Sequence, residues 1–296
     1  FRLASESGTT SVVAVHAGSI DFSTLPFANV AELFSRIPLP VPAILGHSDE
    51  DGIVELDDLG DLTLQAHLEG TDDVVRFPIY REAVAYLALL QSRGEALRSA
   101  RYLPFGLAFD VEKLSWELDF FVRHFLVAYR GAKLSADDTA AIADEWTALS
   151  ADLASERRVL CHRDYHSRNL MVTGQGLAII DFQDARLGPV AYDLVSLLRD
   201  SYVDLSEVLF EELLAHFCVL ARVDDRRAFR ERFDLMSVQR NLKALGTFGY
   251  QATTRQNPAY IPYMRRTLAY VHANLGKYRR FDTLRRLLSR HLSELG

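Results

Sequence analysis

The sequence has no lysine before Lys113, only two cysteines, Cys161 and Cys218, and no long apolar run. Each absence excludes something. Two cysteines cannot frame a disulfide-stapled secreted fold, so both are read as reduced thiols of a cytoplasmic protein. Cys161 stands beside His162, but its neighbours are those of a buried strand end rather than of a nucleophile. Apolar stretches such as residues 86–90 and 176–180 fall far short of the roughly 20 residues that a spanning helix needs. No basic start leads into an apolar leader. The formal charge of −7 argues against a general nucleic-acid binder. Internal repeats and low-complexity segments are missing as well.

What remains is an ordinary globular chain of 296 residues, enough for one large domain or two lobes. Its charge is uneven. From Arg222 onward sixteen Lys/Arg stand against six Asp/Glu, a balance of +10 that leaves −17 for the rest. Two readings stand for this region: a solvated basic helix face, or a basic wall that holds an anionic substrate.

Residues 1–3 and 12–15 read as a β-hairpin turned by Ser7, Gly8, Thr9 and Thr10. Apolar Phe27, Val30, Ala31 and Phe34 have helical spacing. Pro38, Pro40 and Pro42 then force extended chain. Residues 43–45 and 52–56 read as two strands around the turn 48–51. The acidic, aperiodic stretch 57–61 is the candidate linker, which divides the chain into an N-terminal lobe, 1–58, incomplete at its start, and a C-terminal lobe, 59–296. Beyond the linker the pattern predicts helices over 78–93, 116–129 and 137–154. Strands follow at 158–161 and 177–181 around the turn 173–176. The rest is expected to be helical, with breaks near 246–249 and 257–262. The fold class is therefore α+β, a small β-rich lobe on a large helical one.

The chemistry concentrates in Cys161-His162-Arg163-Asp164-Tyr165-His166-Ser167-Arg168-Asn169 and Ile180-Asp181-Phe182-Gln183-Asp184. An Asp is followed by an Asn five residues on and by a second Asp twelve residues after that. The Asn precedes a hairpin turn and the second Asp ends the returning strand, so the three should converge. Phosphoryl transfer needs such a set, because the protein's work there is mostly positioning and charge neutralisation. Asn169 and Asp181 offer hard oxygens of the kind Mg²⁺ accepts. Asp164, free of metal, can orient an acceptor hydroxyl and take its proton. The spacing is that of a protein-kinase catalytic loop. A zinc reading of the neighbouring His and Asp residues fits less well, because the segment is a loop rather than a helix face.

These motifs resemble the aminoglycoside phosphotransferase superfamily, which is protein-kinase-like. The run Gly188-Pro189-Val190-Ala191-Tyr192-Asp193 and the run Gln239-Arg240-Asn241-Leu242-Lys243-Ala244-Leu245-Gly246 narrow the resemblance. With Glu55-Leu56-Asp57-Asp58-Leu59-Gly60-Asp61, they are most similar to the N-acetylmuramate/N-acetylglucosamine anomeric kinases of cell-wall recycling. The resemblance implies ATP- and Mg²⁺-dependent phosphorylation of the C1 hydroxyl of an amino sugar by a cytoplasmic monomer. It implies Asp164 as catalytic base, Asn169 and Asp181 as metal ligands, and the backbone of Glu55, Leu56 and Asp57 against adenine. It also leaves two gaps. The strand lysine that pairs with ATP phosphates is absent and His16 stands about where it would be, with Arg2 as another source of charge. No Gly-rich loop is visible, and it is expected upstream of Phe1.

Other residues carry paired readings. Arg168 either touches the sugar or phosphoryl group or pairs with a carboxylate. His162 and Arg163 hold the loop in shape, and His166 is a weaker substrate candidate. Asp184 binds substrate or a second metal, or is structural. Asp193 opens an apolar helix and anchors the catalytic loop. Glu32, with no lysine to brace, pairs elsewhere or is solvated. Arg240, Asn241 and Lys243 form either a solvated face or a wall for a sugar carboxylate. Trp116, Asp119 and Phe120 either line the acceptor cleft, since aromatic faces suit sugar rings, or are for the most part core. Other acceptors, such as aminoglycosides or choline, and a nucleotide-binding pseudokinase remain rival readings. A protein kinase is disfavoured, because Asp181-Phe182-Gln183 runs almost directly into Gly188-Pro189, with no room for an activation loop.

Overall fold

A computed structural model describes residues 1–4 and 10–296; Ser7, Gly8 and Thr9 of the expected first turn lie outside the described residues. The chain begins with an antiparallel sheet of β1 (Arg2–Ala4), β2 (Thr10–Val15), β3 (Ile44–Ser48) and β4 (Ile53–Asp57), in the order β1-β2-β4-β3. Arg2 faces Val12, and Val15 faces Ile53. Helix α1 (Pro26–Arg36) crosses between β2 and β3. Proline at its first position suits a site where an N–H would be orphaned anyway. Its inward stripe of Val30, Ala31, Leu33 and Phe34 is buried.

The remaining chain is mainly helical: α2 (Leu64–His67), α3 (Asp73–Ala96), α4 (Val111–Phe121), α5 (Ala136–Ala154), α6 (Tyr192–Leu198), α7 (Glu207–Leu220), α8 (Arg226–Thr253), α9 (Ile261–Leu275) and α10 (Asp282–Ser289). Two small antiparallel pairs are set among them, β5 (Arg158–Cys161) with β8 (Arg186–Pro189), and β6 (Leu170–Thr173) with β7 (Gly176–Ile179). Strand β6 is the outgoing arm of the hairpin implied by the turn at 173–176; β8 was not expected, since its Gly188 and Pro189 read as loop. Helix α3 begins five residues before Pro78, because Asp72 accepts from the N–H groups of Val74 and Val75 and caps the first turn. The helix expected over 116–129 begins earlier and ends in a π-helical turn, Val122–Tyr129.

The break expected near 246–249 is absent, and α8 runs straight through it. The glycines serve close approach instead. A Cβ on Gly246 would lie 2.8 Å from Phe121 Cα, and one on Gly249 would lie 2.5 Å from the His124 carbonyl oxygen. Helix α8 therefore packs backbone to backbone on α4 and its π-helical end, which fixes the face that bears Arg240 and Lys243.

The sheet is tied to the helical part by backbone bonds and one aromatic plug. Ile179 donates to the Pro40 carbonyl at 2.7 Å, and Val172 to that of Leu62 at 2.8 Å. Phe182, fully buried, stacks on Phe27 at 4.9 Å and packs against Phe34 at 5.4 Å. Burying such a ring contributes about 2–3 kcal/mol and locks the segment after Asp181 under α1.

Candidate active site

The loop between β5 and β6 forms the floor of a cleft of about 440 Å³. Two buried carboxylates hold its ends. Asp193, in the first turn of α6, accepts from the backbone N–H groups of His162 at 2.6 Å and Arg163 at 3.0 Å. Asp200 accepts from the N–H of Ser167 at 2.9 Å. Burial pushes the Asp193 carboxyl up to about 7, against the pull of those two amides and Arg240. His162 is fully buried with Nε2 3.0 Å from the Ile180 carbonyl oxygen, and burial pushes its pKa down. Arg163 (φ +88°) and Asp181 (φ +61°) both adopt left-handed backbone that non-glycine residues rarely take. Local strain of this kind persists only where surrounding contacts over-determine it.

Asp164 faces two cations from α8. Its Oδ1 accepts from Arg240 Nη2 and from Lys243 Nζ, each at 3.0 Å. Burial alone would push the carboxyl up, but Lys243, Arg240 and Arg163 outweigh it and hold it well below the usual carboxylate range. Burial and the adjacent Arg240 push the Lys243 ammonium down, with Asp164 opposing them. Asp164 is thus a fixed anion, oriented by its partners.

Asn169 links the two aspartates. Its Nδ2 donates to the Asp164 carbonyl at 2.9 Å and to Asp181 Oδ2 at 3.1 Å. Both amide hydrogens are committed, which leaves Oδ1 as that side chain's open donor atom. Asp181 Oδ1 accepts from Gln183 Nε2 at 2.8 Å. An amide oxygen beside an exposed carboxylate is a hard-oxygen pair of the kind Mg²⁺ takes from protein, with waters or phosphates completing its shell. The described residues hold no cluster of three His, Cys, Asp or Glu side chains, so the zinc reading has no support in the geometry.

The other expected residues separate. Arg168 lines the cleft, donates to Gln65 Oε1 at 2.7 Å and to the Tyr263 hydroxyl at 2.9 Å, and lies 3.9 Å over the Tyr202 ring. Among the described residues it pairs with no carboxylate. Asp184 lies outside the cleft lining and bonds to Arg163 Nη1. Asn241 is buried and donates to Ser237 Oγ at 3.1 Å. His16 is exposed beyond the end of β2. With Val15 opposite Ile53, it lies roughly 13 Å along the sheet from Leu56. Arg2 is engaged at the linker, with Nη1 2.8 Å from Asp61 and Nε 2.6 Å from Asp58. Glu32 pairs with Arg101 at 2.5 Å and accepts from the Tyr102 hydroxyl at 3.2 Å. Trp116 and Phe120 line the cleft rather than the core, and Asp119 is exposed. Of the basic C-terminal residues only Arg240 and Lys243 turn toward Asp164; Arg230, Arg232, Arg280 and Arg290 pair with acidic residues elsewhere.

A family model described as the phosphotransferase enzyme family matches residues 20–232. The chain belongs to that family. It is a small-molecule kinase whose acceptor group is a hydroxyl. The N-acetylmuramate/N-acetylglucosamine kinase of Neisseria meningitidis serogroup B is 32% identical, covering 97% of this chain and 85% of that protein. The protein of the same name from Pseudomonas aeruginosa is 28% identical over 96% and 83%. Among solved structures, a choline/ethanolamine kinase family protein from Mesorhizobium loti superposes with a TM-score of 0.61 at 16% identity, covering all of this chain and 91% of that one. An ADP-bound aminoglycoside phosphotransferase gives 0.57 at 15% identity, covering 91% of each chain. At such identities the structural likeness shows the fold alone, and that fold is the two-lobed kinase type.

Sequence reasoning missed several cleft residues of this phosphotransferase. Gln65, Tyr202, Tyr260 and Tyr263 gather around Arg168 from distant segments. Glu117, buried on α4, accepts from Gln239 Nε2 at 2.9 Å and borders the same cleft. No local signal marks any of them.

Proposed function

We propose that this protein transfers the γ-phosphoryl group of ATP to the anomeric C1 hydroxyl of N-acetylmuramate, N-acetylglucosamine or both. The reading rests on likeness across nearly the whole chain, at 26–32% identity, to four kinases bearing that name. ATP lies between lobes that divide near residue 58, with its base against the chain as it leaves β4 at Glu55, Leu56 and Asp57. Asp164 orients the sugar hydroxyl and accepts its proton late, when the oxygen has already begun to bond to phosphorus. A carboxylate held this acidic is a weak base before that point, which suits a loose transition state. Asn169 Oδ1 and the Asp181 carboxylate hold Mg²⁺, which when bound neutralises phosphate charge. Trp116, Phe120 and Tyr202 offer flat faces to the sugar ring, and Arg168 presents its guanidinium to the polar groups of the acceptor. The exposed segment at His16 lies away from this arrangement, whereas Asn241 lines a small cavity with Asp164, Arg240 and Lys243.

The test is Mg²⁺-dependent ADP release with N-acetylmuramate, N-acetylglucosamine, glucose, kanamycin and choline. Turnover on the N-acetyl sugars, giving an acid-labile, alkali-stable phosphate, supports the reading. Turnover on kanamycin or choline alone would replace it with another acceptor class.

A further inference from the structure

Phosphoryl transfer needs positive charge beside the group in flight, and the described part of the small lobe offers little. Strands β1–β4 carry no lysine. Arg2 is spent on Asp58 and Asp61, and Arg36 donates to the Tyr102 hydroxyl. The whole chain has four lysines, Lys113, Lys133, Lys243 and Lys277. Lys277 pairs with Asp234, and Lys113 sits over the Trp116 ring. Lys243 lies within the cleft, whose lining also includes Asn169 and Asp181.

The two α8 cations are not equivalent. Arg240 is 7% exposed, and its Nη2 bonds to Ser196 Oγ at 2.6 Å and the Arg163 carbonyl at 3.2 Å as well as to Asp164. Its hydrogen bonds tie it to the floor. Lys243 is 15% exposed and makes one side-chain hydrogen bond among the described residues, to Asp164 Oδ1. An ammonium carries three donors, so two remain for an anion in the cleft.

We propose that Lys243 is a catalytic residue that faces the transferring phosphoryl group and supplies it with a cation from the large lobe. This rests on the kinase reading above, without depending on which acceptor is used. In the step, the bond between acceptor oxygen and γ-phosphorus forms while the bond from γ-phosphorus to the β,γ-bridging oxygen breaks. The bonding pair leaves with ADP, and the acceptor's proton passes to the Asp164 carboxylate. Lys243 keeps its protons and donates to an oxygen of the group in flight, while its bond to Asp164 holds base and phosphate on the same side. A fixed point charge in a water-poor cleft stabilises developing phosphate charge more than the same charge would in solvent.

The experiment compares binding of the β,γ-imido analogue of ATP and of ADP, with Mg²⁺, by wild type, Lys243→Gln and Lys243→Met. Folding is checked by thermal melting. Gln keeps a hydrogen bond to Asp164 and removes the charge; Met keeps the chain's bulk, so a packing failure in one variant does not stall the test. The expected result is about tenfold or more weaker binding of the analogue, with ADP changed less than about twofold, and turnover lower by about 10²-fold. An unchanged preference for the analogue would reduce Lys243 to a positioning residue for Asp164 and overturn the proposal. So would a lone rise in KM for N-acetylmuramate with N-acetylglucosamine unaffected, since Lys243 would then read the sugar's carboxylate. Failure of wild type to bind either nucleotide would overturn it together with the kinase reading. Lysine-dependent preference for the analogue, without turnover on N-acetyl sugars, would sink only the choice of acceptor.

Discussion

The floor of the cleft and the sheet above it are built in opposite ways. The floor is buried, and its anchoring groups have fixed partners: Asp193 and Asp200 grip the loop backbone, and Arg240 and Lys243 grip the Asp164 carboxylate. The sheet is thin and largely exposed, and charges of the small lobe are engaged at its rim in the pairs Arg2–Asp58, from β1, and Glu32–Arg101, from α1. Among the described residues, the cations that reach Asp164 come from α8 and from the loop itself, and none comes from β1–β4. Substitutions should sort the same way, with large effects on the floor and small ones above it.

The largest effect is expected at Asp164. Asp164→Asn should lower turnover by about 10³-fold with nucleotide binding little changed, as steady-state kinetics and calorimetry would reveal. The variant should also melt earlier, because Arg240 and Lys243 would lose their buried counter-charge. Next comes Asp193→Ala, which orphans the amides of His162 and Arg163 and should cost about 2–4 kcal/mol in a denaturant titration. A comparable loss from Arg2→Ala would break the contrast between floor and sheet.

A third expectation concerns pH. The Asp164 carboxyl is held well below its ordinary range, so its folded-state pKa lies below its unfolded one. The stability it contributes is therefore full above about pH 4 and is lost only as pH falls below that. Correspondingly, kcat/KM should show no acid limb from Asp164 between about pH 5 and 7. Lys243→Met should raise the Asp164 pKa and move that limb toward neutrality. The smallest effects belong to the sheet margin. Arg2→Ala and Glu32→Ala remove ion pairs that have at least one solvent-exposed partner, and should leave the melting temperature nearly unchanged and kcat within about twofold.

What the sequence revealed follows from distance along the chain. Asp164, Asn169 and Asp181 lie within one loop and one hairpin, so local spacing was enough to bring them together. Arg240 and Lys243 approach Asp164 from 76 and 79 residues away, through the packing of α8 on its neighbours, and their motif could not say which face was buried. Gly246 and Gly249 misled for a related reason, since glycine marks both a helix break and a close helix contact. The aromatic nest around Arg168 draws on Gln65, Tyr202 and Tyr263, and no short pattern encodes it. Strand β8 was missed because Gly188 and Pro189 read as loop.

The account turns on the position of the transferred phosphate, and phosphorus–proton correlation NMR of the product made from N-acetylglucosamine reads that position directly. The account predicts that the phosphorus couples to the anomeric proton H1. Coupling to the C6 protons, or to any ring proton other than H1, would contradict it.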